Sequence, residues 1–446
     1  MKIVIAGAGE VGSHLAKMLS NEDQDIIILD TDEKRLNNLE NYNLMTYFGS
    51  ATSFKVLKEV GVSDHTDLFI AVTSQETRNL VACSMAKSMG AKKTVARIDN
   101  FEFLGKEHAK YFAQLGVNDL IYPEYLAAKE IRTALQHSWA RNWFELFDGE
   151  LIVAAVKIRD NSTIKGKRLR EMANIADFMH VSAIKRNHET IIPGGDDMVR
   201  SNDIIYIATT NEHVKEVLEV CGKVHLPVEK LMIMGGSPVA VQIAKTLGDH
   251  VKIKIIEPDQ ERCQYLADLL PHCKIVHGDA TDNELLTEEG IADIDVFAAL
   301  SDHSETNILS CLMAKEKGIK KTIAEVESIQ FINEAESLNI GTIINKKLLA
   351  SSRIFQILLD SDVNNARCLA LADAEVAEVI IDDGNSKACR RLVKDLGLPR
   401  DITIAGIVRD GHGMLVKGDS QLQVGDHVCL FCLAGAFKKL DKYFGK

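Results

Sequence analysis

A chain of 446 residues, 46% hydrophobic and 26% charged, can bury several cores, and its length favours two to four domains over one. Its formal net charge of −12 at pH 7 argues against non-specific binding to nucleic acid, which needs clustered Lys and Arg to displace counterions; pairs such as Lys320-Lys321 and Arg390-Arg391 are too short to reverse that. The longest apolar runs, such as Leu151 to Val156, fall far short of the roughly 20 residues a spanning helix needs, and the chain starts without a signal-peptide pattern, so a cytoplasmic protein is expected.

From the amino terminus, short apolar runs at 2–6, 25–29, 68–72 and 94–98 alternate with stretches of helical spacing at 11–19 and 77–89. Strand and helix in alternation predict an α/β fold with a doubly wound, Rossmann-type parallel sheet over residues 1–123. A helix-like connector at 124–136 leads to a smaller unit at 140–222, whose turn residues between alternating runs suggest a mixed α/β domain of two or three strands. The plan then repeats. The segment 79–96, NLVACSMAKSMGAKKTVA, lies over 307–324, NILSCLMAKEKGIKKTIA, with ten of eighteen positions identical. A second Rossmann-type domain is therefore expected at 228–345, a connector at 346–359 and a second small α/β domain at 365–446. The small units also pair: residues 184–208 resemble 407–431, aligning Gly195-Asp196 with Gly418-Asp419 and Asp203 with Asp426.

The first repeat opens MKIVIAGAGEVG, a strand running into Gly7-x-Gly9-x-x-Gly12 with a helix beyond and Asp30 closing the next strand. These are the parts of a dinucleotide fingerprint in their proper context. Gly7 permits the turn, Gly9 lets backbone approach a pyrophosphate, Gly12 allows helix to pack on strand, and the helix N-terminus offers free N–H donors to the anion. Asp30 would accept from ribose hydroxyls, favouring NAD over NADP. Thr73 and Ser74 follow the carboxyl end of the strand at 68–72, on the rim where such sheets bind ligands. Arg97, in the following strand, reads equally as a phosphate ligand or a surface ion pair. The second repeat carries a worn copy, MGGSPVA at 234–240. Gly235, Gly236 and Glu257 keep the frame, but Ser237, Pro238 and Ala240 replace Gly9, Glu10 and Gly12, and Glu325 replaces Arg97. A Cβ at Ser237, a lost N–H at Pro238 and a reversed charge at Glu325 predict a second pocket that is weak for the same ligand or retained for assembly.

No pattern of catalysis or metal binding stands out. The 14 His residues are dispersed and there is no HExxH or GxSxG, so no catalytic residue and no metal site is assigned. The pairs Asp196-Asp197 and Asp382-Asp383 read as solvated turn residues. Nine cysteines, an odd number, suit reduced thiols, and Cys429 with Cys432 in VCLFCL read as buried core thiols.

Two nucleotide-binding domains, each followed by a small domain, with AGAGEVG, GSAT, AVTS and VARID in the first, resemble the TrkA family, peripheral regulatory subunits of bacterial and archaeal Trk potassium uptake systems. The resemblance covers essentially the whole chain. It implies tandem RCK (KTN) domains, no enzymatic activity, regulatory binding of NAD(H) and of ATP or ADP, and a ring of four chains on the cytoplasmic face of a potassium-translocating membrane subunit. The family's nucleotide contacts fall on Gly7, Ala8, Gly9, Glu10, Val11, Asp30, Thr73, Ser74 and Arg97. Two other readings share the residues: a pyridine-nucleotide oxidoreductase and a regulator of potassium efflux.

Overall fold

The computed structural model describes residues 1–20, 24–187, 189–328, 330–359, 368–371, 374–433, 436 and 440–444; residues 365–367, the expected start of the second small domain, lie outside these. The first repeat begins with a parallel sheet of β1 (Lys2–Ala6), β2 (Asp25–Asp30), β3 (Met45–Phe48), β4 (Leu68–Ala71), β5 (Lys93–Arg97) and β6 (Asp119–Ile121), in the order β3-β2-β1-β4-β5-β6. The order reverses between β1 and β4, and the crevice at their carboxyl ends is where open α/β sheets take ligands. The central strands β1 and β4 are continuous apolar runs because both faces are covered. Ile3 and Ile5 pack with Leu15 and Leu19 of the helix Glu10–Leu19, whereas Val4 and Ala6 pack with Ala82 and Cys83 of the helix Glu76–Ser88.

The first small domain is an antiparallel sheet of β7 (Asn142–Leu146), β8 (Leu151–Lys157), β9 (His180–Arg186), β10 (Glu189–Ile191) and β11 (Ile204–Thr209), ordered β10-β9-β11-β8-β7. It has five strands where the sequence suggested two or three. The reason lies in β8, which reads LIVAAV without alternation because both of its faces are buried. Ile152, Ala154 and Val156 pack with Val217 of the helix Val214–Val220, while Leu151, Val153 and Ala155 pack against Val376, Ala405 and Phe431 of the second small domain.

The second repeat follows the same plan. β12 (Lys230–Met234), β13 (Lys252–Glu257), β14 (Lys274–His277), β15 (Val296–Ala299), β16 (Lys321–Glu325) and β17 (Thr342–Ile344) form a parallel sheet ordered β14-β13-β12-β15-β16-β17. β18 (Cys368–Leu371), β19 (Ala374–Ile380), β20 (Ile402–Arg409), β21 (His412–Leu415) and β22 (His427–Leu433) form an antiparallel one ordered β18-β19-β22-β20-β21. The two small domains share an ion pair. Arg186 Nε and Nη2 donate to Asp203 at 2.8 and 2.7 Å, and Arg409 does the same to Asp426 at 2.7 and 2.8 Å. Both carboxylates are buried, and a two-pronged guanidinium is the partner that satisfies both oxygens there.

The chain groups into two compact units, Met1–Lys129 with Asn345–Leu358, and Glu130–Ile344 with Leu359–Lys446. In the first, the connector helix of the second repeat, Lys346–Leu359, covers a face of the first repeat's sheet, where Ala350, Ile354, Ile357 and Leu358 join Ile3, Ile5 and Leu15 in one core. In the second, the two small sheets lie face to face, and Gly413 N donates to Glu150 Oε2 at 3.0 Å.

Candidate nucleotide site

Each glycine of the loop between β1 and the helix Glu10–Leu19 has its own reason. Gly7 has φ +109°, and a Cβ there would stand 3.0 Å from Thr73 N, so both conformation and space exclude a side chain. A Cβ on Gly12 would lie 1.9 Å from Gly7 O, so its absence lets the helix sit on the strand. Gly9 is different: its φ is −68°, open to any residue, and a Cβ would meet only Arg35 Nη1 at 3.8 Å. The space over Gly9 is therefore not used by the fold. Gly9 is also the N-cap, and with no side-chain acceptor there the first N–H groups of the helix are left for an anion.

Asp30 ends β2 beneath this loop. Its Oδ2 accepts from Ala8 N at 2.6 Å and its Oδ1 from Asp32 N at 2.9 Å, so the carboxylate fixes the loop, and each oxygen keeps a lone pair for a further donor. Val11 packs in the core with Ile3 and Leu15, so only its backbone is available to a ligand. Glu10 is exposed, and its carboxylate meets Lys347 Nζ. Lys347, in the first turn of the helix Lys346–Leu359, is 9% exposed, so its ammonium is held beside the loop by a helix of the other repeat. Sequence reasoning passed over Lys347 because nothing local connects it to the fingerprint. It also passed over Arg35, beside Gly9.

Thr73 and Ser74 lie just beyond β4, with Thr73 against Gly7 and Ser74 exposed. Asn79, buried in the helix Glu76–Ser88, organises this rim. Its Oδ1 accepts from Thr73 N and Oγ1 at 2.9 and 2.6 Å, and its Nδ2 donates to Thr73 O and Arg97 O at 3.0 and 2.9 Å. All of its near-side capacity is spent tying the ends of β4 and β5 together. Asn307 makes the same four bonds to Ser301 and Glu325. The signal was in view, since Asn79 and Asn307 head the matched eighteen-residue segments. Arg97 pairs with Asp99 at 3.2 Å, and its Nε is buried with no hydrogen-bond partner among the described residues.

The worn loop is closed on itself. Ser237 Oγ accepts from Ala240 N at 3.3 Å, capping its own helix, Pro238–Leu247, and Pro238 occupies the first turn. Glu257 repeats the work of Asp30, accepting from Gly236 N at 2.6 Å and Asp259 N at 3.0 Å. Arg262, in the place of Arg35, donates to Gly236 O from Nε at 3.0 Å and Nη2 at 2.8 Å. Glu325 is buried. Donors that are open in the first loop are taken in the second.

Among the described residues no group of three or more His, Cys, Asp or Glu could hold a metal ion, and no helix is long and apolar enough to cross a membrane. Cys429 and Cys432 are both buried, and burial raises the pKa of Cys429 well above the ordinary thiol range.

The class this geometry defines is a duplicated Rossmann protein with one open and one closed glycine loop. Residues 3–123 and 231–346 match the family model of the TrkA-N domain, and residues 153–222 and 376–445 that of the TrkA-C domain. The chain is 33% identical over 441 residues to the Trk system potassium uptake protein TrkA of Haemophilus influenzae, covering 97% of this chain and 95% of that one. It is 30% identical over 449 residues to the TrkA homolog of Archaeoglobus fulgidus, covering all of both. Among solved structures, the GsuK RCK domain superposes with a TM-score of 0.61 at 14% identity, over 99% of this chain and 94% of that one. The GsuK channel bound to NAD does so at 0.61 and 15%, over 99% and 78%. The chain belongs to the TrkA family of Trk system potassium uptake proteins.

Proposed function

We propose that this chain is the nucleotide-sensing regulatory subunit of a Trk-type potassium uptake system, a non-enzymatic protein that docks on the cytoplasmic face of a potassium-translocating membrane partner as a ring of four copies. The observation that carries the reading is the contrast between the loops: the Gly7–Gly12 loop keeps its helix N-terminus uncapped and the space over Gly9 unfilled, while its duplicate is capped by Ser237 and clasped by Arg262. NAD(H), ATP or ADP would lay phosphates on the first loop, with Asp30 taking the ribose hydroxyls and Thr73, Ser74 and Arg97 lining the rim. The names of the relatives and the NAD held by the GsuK channel support this ligand class and partner.

A ligand changes an assembly's shape only by binding one shape better than another. The contact between Glu10 and Lys347 supplies such a difference. An arriving phosphate competes with Glu10 for the Lys347 ammonium, and that ammonium belongs to the helix on which the two repeats cross. Potassium uptake, measured in vesicles holding the membrane partner with this chain, without it and with Gly9→Val, tests the proposal. The parent should change the flux with nucleotide present and the variant should not. Flux indifferent to all three, together with substrate-dependent NADH turnover by the purified chain, would replace the regulator with an oxidoreductase.

A further inference from the structure

A second collection of charge lies far from either glycine loop in the sequence, within the unit Glu130–Ile344. Asn339, in a turn with φ +57°, accepts on its Oδ1 from Arg141 Nη2 at 2.5 Å and Lys157 Nζ at 3.2 Å, and its backbone O receives Lys315 Nζ. Arg159 and Lys223 are close enough to Lys157 that each lowers its pKa. We propose that Arg141, Lys157, Arg159, Lys223 and Lys315, gathered about Asn339, form a binding site for a compact multivalent phosphate group, distinct from the Gly7–Gly12 loop.

The first argument is charge balance. In a chain of net charge −12, Arg141 and Lys157 share the neutral amide oxygen of Asn339, Lys315 takes its backbone O, and Arg159 and Lys223 add their charges to Lys157. The nearby carboxylate of Glu336 is taken by Lys185 at 2.6 Å, and among the described residues none of the five is in an ion pair. Burial, followed by the mutual repulsion of Arg141, Arg159 and their neighbours, pushes Lys157 and Lys315 down to about 8. Structural ion-pair networks alternate sign. A cluster that concentrates one sign at a cost in burial is what an oxyanion would complete, and guanidinium with ammonium groups suits the several acceptor directions of a phosphate.

The second argument is the duplication, which shows that the fold does not need cations at the places of Lys157 and Arg159. By strand register, Thr342 stands opposite Ile323 as Asp119 stands opposite Val95. In the first repeat Asp119 pairs with Lys93 at 3.4 Å, whereas the matching Lys321 donates instead to Ala140 O at 2.9 Å. The place of Asn339 is held there by Gly116, also at positive φ, +87°, and the counterpart of Lys315, Lys87, is spent on Lys92 O at 2.6 Å. Across the small domains, Lys157 stands opposite Ile204 as Ile380 stands opposite His427. Two residues on, Asp382 therefore occupies the place of Arg159. One copy holds cations where the other holds an aliphatic chain and an acid.

The test is calorimetric titration of the full-length chain with inorganic pyrophosphate at constant ionic strength, for the parent, Arg159→Asp, Lys157→Ile and Gly9→Val. Gly9→Val, which removes the glycine-loop site, should keep a pyrophosphate site, and adding Arg159→Asp or Lys157→Ile to it should weaken that binding about tenfold or more; Arg159→Asp and Lys157→Ile alone should keep their NADH affinity, which shows that they are folded. Repeating the titration with ATP on Gly9→Val separates the sources: retained ATP binding that Arg159→Asp removes assigns the site to a nucleotide's phosphates, and its absence assigns it to a free phosphate compound. No pyrophosphate binding by Gly9→Val, or binding there that Arg159→Asp leaves untouched, overturns the proposal.

Discussion

Gly9 and Asn79 show how differently two residues of one site depend on the fold. A Cβ at Gly9 meets nothing nearer than Arg35 Nη1 at 3.8 Å, so Gly9→Val should leave the melting temperature nearly unchanged while removing most nucleotide binding, read by calorimetry with NADH and ATP. Equal affinity in the variant would displace the ligand from this loop. Asn79 is the opposite case. Buried and bonded four times to the ends of β4 and β5, it leaves orphaned backbone groups when removed, and Asn79→Ala should cost about 2–4 kcal/mol in urea unfolding. The glycines and Asp30 were legible in the sequence because their spacing is set by local geometry. The weight of Asn79 was not, because its four bonds join segments that only β4–β5 pairing brings together.

Two elements carry charges whose meaning depends on what packs against them. The helix Lys346–Leu359 brings Lys347 to Glu10, and Lys347→Met should weaken binding of ATP more than that of adenosine, by about tenfold, if its ammonium serves phosphate; equal loss for both would make its role steric. On β16, Lys321 is half-buried, and desolvation, with Arg141 and Lys315 nearby and Glu130 opposing them, lowers its pKa from 10.5 to about 7. Between those values the unfolded chain binds a proton that the folded chain does not, so stability falls as pH drops from about 10.5 and levels off near 7. Lys321→Met removes that loss. Its gain over the parent should be near zero at high pH and reach about 2–4 kcal/mol near pH 7, less any packing cost, in urea melts across the range. A gain independent of pH would place the effect in packing alone.

At the scale of the molecule, the chain is written as two tandem repeats, but its cores do not follow that division. Ala350, Ile354, Ile357 and Leu358 close the core of the first repeat's sheet, and the two small domains bury Leu151, Val153, Val376 and Phe431 against each other. Cutting between residues 225 and 226 uncovers both faces, and the lost helix contacts alone are worth on the order of 5–8 kcal/mol, as much as a whole domain's stability. Expressed separately, the halves should aggregate or melt early, and expressed together they should associate and bind nucleotide. Two independently stable halves would show that the crossing helix is dispensable. The sequence by itself determined the duplication, the parallel sheets and the place of the open loop, because strand periodicity, glycine spacing and repeat identity are properties of contiguous segments. Only the tertiary structure decided that the worn loop is capped and clasped, that Lys347 stands beside Glu10, that Arg141, Lys157 and Lys315 meet at Asn339, and that the small sheets have five strands. Each of these depends on which distant segment supplies a partner or a covering face, and hydrophobic burial, having no direction, leaves that choice to the packing of the whole.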